Sequence, residues 1–111
     1  MPIRTTAFMA GVPELLILKL LSAGEMYGYE LAKAVQTASA EALSLGEGVL
    51  YPALHALEIG GALRARTAMV DGRKRVYYTL TARGRRRLRE LTRRWQRVAG
   101  AVQAVLGGSY A

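Results

Sequence analysis

Residues 47–80 constrain the possible folds of this chain more than any other segment does. Its first part has apolar residues three and four positions apart, the period of a helix with one buried face: Leu50, Leu54 and Leu57, with Ile59 as a further member. Gly60 and Gly61 then end the pattern, as glycines commonly do at helix C-termini. The helix is expected to start near Glu47, but Pro52 lacks a backbone N–H, so we expect either a local irregularity there or a later start.

A two-stranded ribbon follows this helix. Residues 63–69 and 74–80 are strand-like and flank the pair Asp71-Gly72, which is typical of a two-residue hairpin because both residue types tolerate positive φ. Three cations stand at and beside the tip: Arg73, Lys74 and Arg75. A helix followed by a basic ribbon is suited to gripping duplex DNA.

Further helices surround this segment. Residues 11–21 are apolar almost all round, which predicts a helix covered on every side, and residues 29–37 predict a second helix. Residues 25–28 are expected to form a turn, and residues 38–45 have no clear pattern. Thr81 is a good N-cap for a long final helix. The expected fold is mainly α with a small β-hairpin: a winged helix-turn-helix domain over residues 1–80, then a C-terminal dimerisation helix over residues 81–111.

The final helix carries an unbroken apolar stripe with alternating spacings of three and four residues. Such a stripe predicts packing against a second copy of the helix. Its members form the expected dimer interface: Leu88, Leu91, Trp95, Val98, Val102 and Val105. The remaining faces are rich in arginine, which we interpret mainly as a solvated surface.

The charge is distributed unevenly along the chain. Residues 1–60 hold three basic and six acidic side chains, a net charge of −3, whereas residues 61–111 hold thirteen basic and two acidic ones, a net charge of +11. Such asymmetry points to a polyanionic partner. A non-specific basic nucleoid-associated or RNA-binding protein remains the alternative to a specific DNA reader.

Other classes of function find little support. The chain has no Cys and one His, so neither a Cys-ligated nor a His-based metal site is expected, and no cofactor is expected. Paired carboxylates and phosphate-cradle motifs are lacking, which argues against an enzyme. No apolar run is long enough for a membrane span, and no signal-peptide pattern follows Met1, so we expect a cytoplasmic protein without a membrane partner.

Eight side chains are candidates for contact with duplex DNA. For Tyr51 the alternative is a partly buried ring packed on the wing, for His55 an ordinary exposed histidine, and for the wing-tip cations a solvated turn. Tyr29 is more readily a core residue than a contact. The DNA-binding candidates are Tyr27, Tyr51, His55, Arg64, Arg66, Arg73, Lys74 and Arg75.

Several short motifs, in order over about residues 11–90, resemble the PadR-like transcriptional regulators with a short C-terminal region. They are Ile17-Leu18-Lys19-Leu20-Leu21, Tyr27-Gly28-Tyr29-Glu30-Leu31, Gly48-Val49-Leu50-Tyr51-Pro52-Ala53-Leu54, Leu57-Glu58 with Gly61 and Leu63, Arg75-Val76-Tyr77-Tyr78-Thr79-Leu80-Thr81, and Gly84. Val49 departs from the pattern, because the family often has Ser or Thr there. Ala62 departs as well, since many relatives have a shorter join.

The resemblance implies a homodimeric repressor whose third helices and wings grip a roughly palindromic operator. It also implies that the last helix, with the first, forms the dimer interface, and that a small aromatic or hydrophobic effector lies between the subunits in some relatives. Trp95 occupies the matching place for such a ligand. The alternative role for Trp95 is packing in the dimer interface. The expected ligand-binding residues are Phe8, Met9, Trp95 and Val98.

Overall fold

The computed structural model describes residues 3–4 and 11–107. Phe8 and Met9, two of the expected ligand-binding residues, lie outside these described residues. The helices are α1 (Val12–Leu21), α2 (Gly28–Ala38), α3 (Glu47–Ile59) and α4 (Ala82–Leu106), and the strands are β1 (Ile3–Arg4), β2 (Met26–Tyr27), β3 (Leu43–Ser44), β4 (Leu63–Val70) and β5 (Arg73–Leu80).

The predicted hairpin is confirmed and forms the wing of the fold. Strands β4 and β5 pair antiparallel from Leu63 opposite Leu80 to Val70 opposite Arg73, so only two residues form the loop. Those residues, Asp71 and Gly72, have φ angles of 51° and 75°. Left-handed conformations at both positions match the twist of the strands that they join.

The wing has a third strand that the sequence analysis did not predict. Strand β2 pairs antiparallel with β5, placing Met26 opposite Tyr78 and Tyr27 opposite Tyr77, and the sheet order is β2-β5-β4. The expected turn at residues 25–28 was therefore wrong, since two residues are too few to show a strand period. The unassigned segment contains β3, which pairs in parallel with β1.

The core lies between α1, α2, α3 and the inner face of the sheet. Its most deeply buried side chains are Ile17, Leu18, Leu21, Leu31, Leu50 and Leu54. Two inward assignments were wrong, because Ile59 is 87% exposed and Tyr29 is 64% exposed. Each lies two positions from a buried leucine, Leu57 or Leu31, and residues two apart point to opposite sides of a helix.

Helix α3 begins at Glu47 despite the proline inside it. The first turn closes on Gly46, whose carbonyl oxygen accepts from the amides of Val49 at 3.0 Å and Leu50 at 2.9 Å. Pro52 removes the donor that the carbonyl of Gly48 would otherwise meet. The predicted start near Glu47 is confirmed, the alternative of a later start is wrong, and the helix accommodates the proline on its exposed side.

Helix α4 is fastened to the rest of the fold at its first turn. The Thr81 hydroxyl accepts from the amide of Gly84 at 3.1 Å, which confirms the predicted N-cap. A Cβ at Gly84 would overlap the carbonyl oxygen of Ala62 and lie 2.6 Å from Cδ1 of Leu80. One turn later, Arg87 donates to Glu14 of α1 at 2.8 Å. Glycine is thus required for α4 to cross the base of the wing this closely.

Candidate nucleic-acid interface

The exposed face of α3 presents the side chains that the helical period predicted. Tyr51, His55 and Glu58 are all exposed, opposite the buried leucines of the same helix. Tyr51 lies against the start of α2, where a Cβ on Gly28 would come within 2.6 Å of its hydroxyl oxygen. The absence of a side chain at Gly28 therefore determines where the Tyr51 ring rests.

A crevice of about 350 Å³ separates α3 from the wing. It brings together five of the eight predicted DNA-binding residues, and Gly28, Val76 and Tyr78 complete its walls. The five are Tyr27, Tyr51, His55, Lys74 and Arg75. Burial of Tyr78 raises the pKa of its phenol, and the nearby Glu58 and Tyr51 act in the same direction.

The remaining three candidates lie elsewhere on the wing. Arg73 is exposed beside the hairpin loop, and Arg64 is exposed near the base of β4. Neither side chain lines the crevice. Arg73 and Lys74 flank a loop that also carries the exposed carboxylate of Asp71, so the wing tip is cationic with one acid at its apex.

Arg66 is already engaged within the protein. Its Nε and Nη2 donate to the two carboxylate oxygens of Glu25 at 2.7 and 2.6 Å, and its guanidinium lies 4.7 Å from the centre of the Tyr77 ring. The hydrogen bonds from Arg66 lower the pKa of Glu25, and the same bonds raise the pKa of Arg66. This contact joins the loop before β2 to strand β4.

Arg75 is held between two tyrosines on the same face of the sheet. Its guanidinium lies 4.2 Å from the centre of the Tyr27 ring, and its Nη1 donates to the Tyr77 hydroxyl at 3.4 Å. That hydrogen bond raises the pKa of Arg75. The two rings meet edge to face at 5.5 Å. Tyr77 was not among the predicted contacts, although strand alternation places it on the face opposite the buried Tyr78.

The apolar stripe of α4 divides into a covered and an uncovered part. Leu91 is buried and Leu88 is half-buried against the core. Trp95 is 50% exposed, and the three valines that follow are 52–58% exposed in the single chain: Val98, Val102 and Val105. The described residues thus leave the distal half of the predicted dimer interface open.

A groove of about 280 Å³ runs between the start of α1 and this open part of α4. Two of the expected ligand-binding residues, Trp95 and Val98, line it. The other lining residues are Gly11, Val12, Leu15, Leu91 and Arg94. The surface is mostly apolar, and the Arg94 side chain that also lines it donates to Glu90 at 3.0 Å.

Within the described ranges, no group of three or more His, Cys, Asp or Glu side chains is arranged to hold a metal ion. The helices in those ranges are each too short or too polar to span a membrane.

Comparison with known proteins agrees with this arrangement. A sequence model of the transcriptional regulator PadR-like family matches residues 17–90. A transcriptional regulator of Mycobacterium tuberculosis is 36% identical over 101 residues, which cover 91% of this chain and 89% of that protein. Regulators of this family bind DNA and are not enzymes.

Solved structures show the same fold. A PadR-like transcriptional regulator from Bacillus cereus superposes with a TM-score of 0.77 at 30% identity, covering 94% of this chain and 100% of that one. A PadR family regulator from Clostridium difficile gives a TM-score of 0.74 at 28% identity, covering 86% and 99% of the two chains. The resemblance seen in the sequence motifs and the predicted winged-helix architecture are both confirmed, and the chain belongs to the PadR-like family of transcriptional regulators.

Proposed function

We propose that the protein is a homodimeric, cytoplasmic repressor that binds a roughly palindromic operator through α3 and the wing. The observation that carries this proposal is the crevice between them. Two groove-reading candidates on α3, Tyr51 and His55, and two wing cations, Lys74 and Arg75, line it together. A helix face bordered by cations combines base-edge readout with phosphate contacts, which is the division of labour in specific DNA recognition.

We call α3 and the wing together the DNA-reading unit. Dimerisation through α4 would bring two copies of this unit together. The uncovered side chains Trp95, Val98, Val102 and Val105 continue the spacing of Leu88 and Leu91 beyond the core. Each is already about half covered, so burying the rest of it against a partner would contribute about 0.8–1.5 kcal/mol per side chain before association costs are met. A two-fold dimer would place the two copies of α3 about 34 Å apart, the repeat of two half-sites on one side of DNA.

The groove beside Trp95 supports the proposal of a small effector. An exposed indole at a mostly apolar groove offers a flat surface for a planar aromatic molecule. Because the groove adjoins the open stripe of α4, a ligand there would alter the spacing of the two reading units. Titration with planar aromatic compounds should quench Trp95 fluorescence at micromolar concentrations. If no compound in a varied panel changes the fluorescence, the ligand proposal fails and the role of Trp95 is packing.

DNA binding is best tested by fluorescence anisotropy with a duplex from the upstream region of the protein's own gene. We expect tighter binding to this duplex than to a shuffled sequence, and an affinity that falls steeply with salt through counterion release. Lys74→Ala should weaken binding to both duplexes. Arg89→Ala is the matched control, because it removes the same charge from an exposed position on α4.

The outcomes separate the competing functions. Equal affinity for the upstream and shuffled duplexes would favour a non-specific nucleoid-associated protein, and tighter binding to RNA would favour an RNA-binding protein. Sedimentation equilibrium with Val102→Lys tests the dimer independently, since a buried lysine at the stripe should dissociate it. A promoter fusion that is silenced by the wild type and released by Lys74→Ala would identify a repressor.

A further inference from the structure

The outer face of the wing carries a continuous chain of contacts between cations and rings. Glu25 holds Arg66 through two hydrogen bonds, Arg66 lies over the Tyr77 ring, and Tyr77 accepts a hydrogen bond from Arg75. Arg75 in turn lies over the ring of Tyr27. Tyr27 belongs to β2, directly before α2, so this series of contacts connects the wing to the helices.

The cations of the wing differ in how they are held. Arg73 and Lys74 are exposed side chains beside the loop, whereas Arg75 is half-buried with both its ring partner and its hydrogen-bond acceptor in place. A guanidinium fixed in this way loses little conformational freedom when it binds a planar or tetrahedral anion. Arg75 also lines the crevice, together with Tyr51, where DNA is proposed to bind.

We propose that Arg75 is the orientation-fixed phosphate contact of the wing, that Tyr27 and Tyr77 are positioning residues for it, and that Arg66 is a support and not a DNA contact. This inference rests on the proposed function and deepens it. Tyr27 then acts through its ring, which lies under the guanidinium, and its hydroxyl does not contact DNA. Arg73 and Lys74 act as mobile charges that add affinity without fixing the register.

Charge-conserving substitutions test the inference, with anisotropy on the upstream duplex as the measurement. Arg75→Lys keeps the charge but loses the planar fork and much of the stacking, so the Kd should rise about three- to tenfold. The slope of log Kd against log salt should stay unchanged because no charge is lost. Arg73→Lys is the matched control, and its Kd should stay within about twofold if that side chain is a mobile charge.

A double-mutant cycle tests the positioning role. Tyr27→Leu should weaken binding about three- to tenfold in the wild-type background, and this effect should vanish in an Arg75→Ala background. In an Arg73→Ala background the same effect should persist. Tyr27→Phe retains the ring and should bind like the wild type. Equal thermal midpoints for Tyr27→Phe and Arg75→Lys would show that folding is intact in the two mildest variants.

The results that would overturn the inference are distinct from those that would overturn the proposed function. If the wild type binds the upstream duplex but Arg75→Lys and Arg73→Lys behave alike, Arg75 is not orientation-fixed. If Tyr27→Phe binds as weakly as Tyr27→Leu, the hydroxyl itself contacts DNA and the positioning role fails. If the wild type binds no duplex at all, the proposed function falls and the inference falls with it.

Discussion

Gly84→Ala is the substitution whose effect the structure defines most sharply. Gly84 lies in the first turn of α4, and a Cβ there would overlap the carbonyl oxygen of Ala62 and press on Cδ1 of Leu80. The leucine can rotate, but the carbonyl belongs to the backbone where α3 joins β4, so α4 must move away. Overpacking of this kind costs about 3 kcal/mol at the upper end of its usual range.

Part of that cost is offset by the helix itself. Alanine is favoured over glycine inside a helix by about 1 kcal/mol, which leaves a net destabilisation of about 2 kcal/mol. For a domain of this size the thermal midpoint should fall by about 10 °C. Gly100→Ala is the matched control, since nothing lies within 4 Å of a Cβ at that position and it should stabilise the protein by up to about 1 kcal/mol.

Urea unfolding followed by circular dichroism at one fixed protein concentration measures both variants. Concentration must be held constant because dimerisation would link stability to it. The same substitution at two positions on one helix should therefore change the free energy of unfolding in opposite directions. A Gly84→Ala protein as stable as Gly100→Ala would refute the claim that α4 and the base of the wing are in close contact.

Three further predictions concern the cap and two titrating groups. Thr81→Ala removes the N-cap of α4 and a hydroxyl that donates to Gly61 at 2.6 Å, so urea unfolding should show a loss of about 1–2 kcal/mol. The pKa of Glu25 is lowered, so its pairing with Arg66 stabilises the fold above the unfolded-state pKa of about 4.3, and this stabilisation is lost as the pH falls further. The urea midpoints of the wild type and Glu25→Gln should therefore converge on acidification from pH 7. A constant difference between the two midpoints would contradict this. The pKa of Tyr78 is raised, so its contribution to the stability of the fold is fully present below about pH 10 and is lost as the pH rises through the folded-state pKa. Tyr78→Phe should therefore reduce the fall of the urea midpoint at alkaline pH. An unchanged fall would assign that loss of stability to other groups.

The elements that the sequence predicts correctly are those determined by neighbours in the chain. The hairpin follows from Asp71-Gly72, and the start of α4 follows from Thr81. Strand β2 was missed because its pairing partner lies about fifty residues away and its two residues have no period of their own. The candidate site residues follow the same rule, because only those positioned by neighbours in the chain could be placed from the sequence.

Helical spacing is sufficient to place Tyr51 and His55 on the exposed face of α3. The pairing of Arg66 with Glu25 spans 41 residues, so no local pattern could separate this arginine from Arg73. The Tyr29 and Ile59 errors have a different origin. Both side chains are apolar enough to suggest burial, but the helix phase set by the adjacent leucines turns them outward.

The ion pair between Glu14 and Arg87 has a consequence for the order of assembly. It closes a loop of 73 residues, whereas the wing closes through two. Closure entropy grows with loop length, so the wing can form early, from contacts close in sequence. During synthesis the ion pair between α1 and α4 must wait until Arg87 has emerged, and the open stripe beyond Trp95 emerges later still. A ribosome-bound chain could thus complete α1, α2, α3 and the wing before the uncovered stripe of α4 emerges.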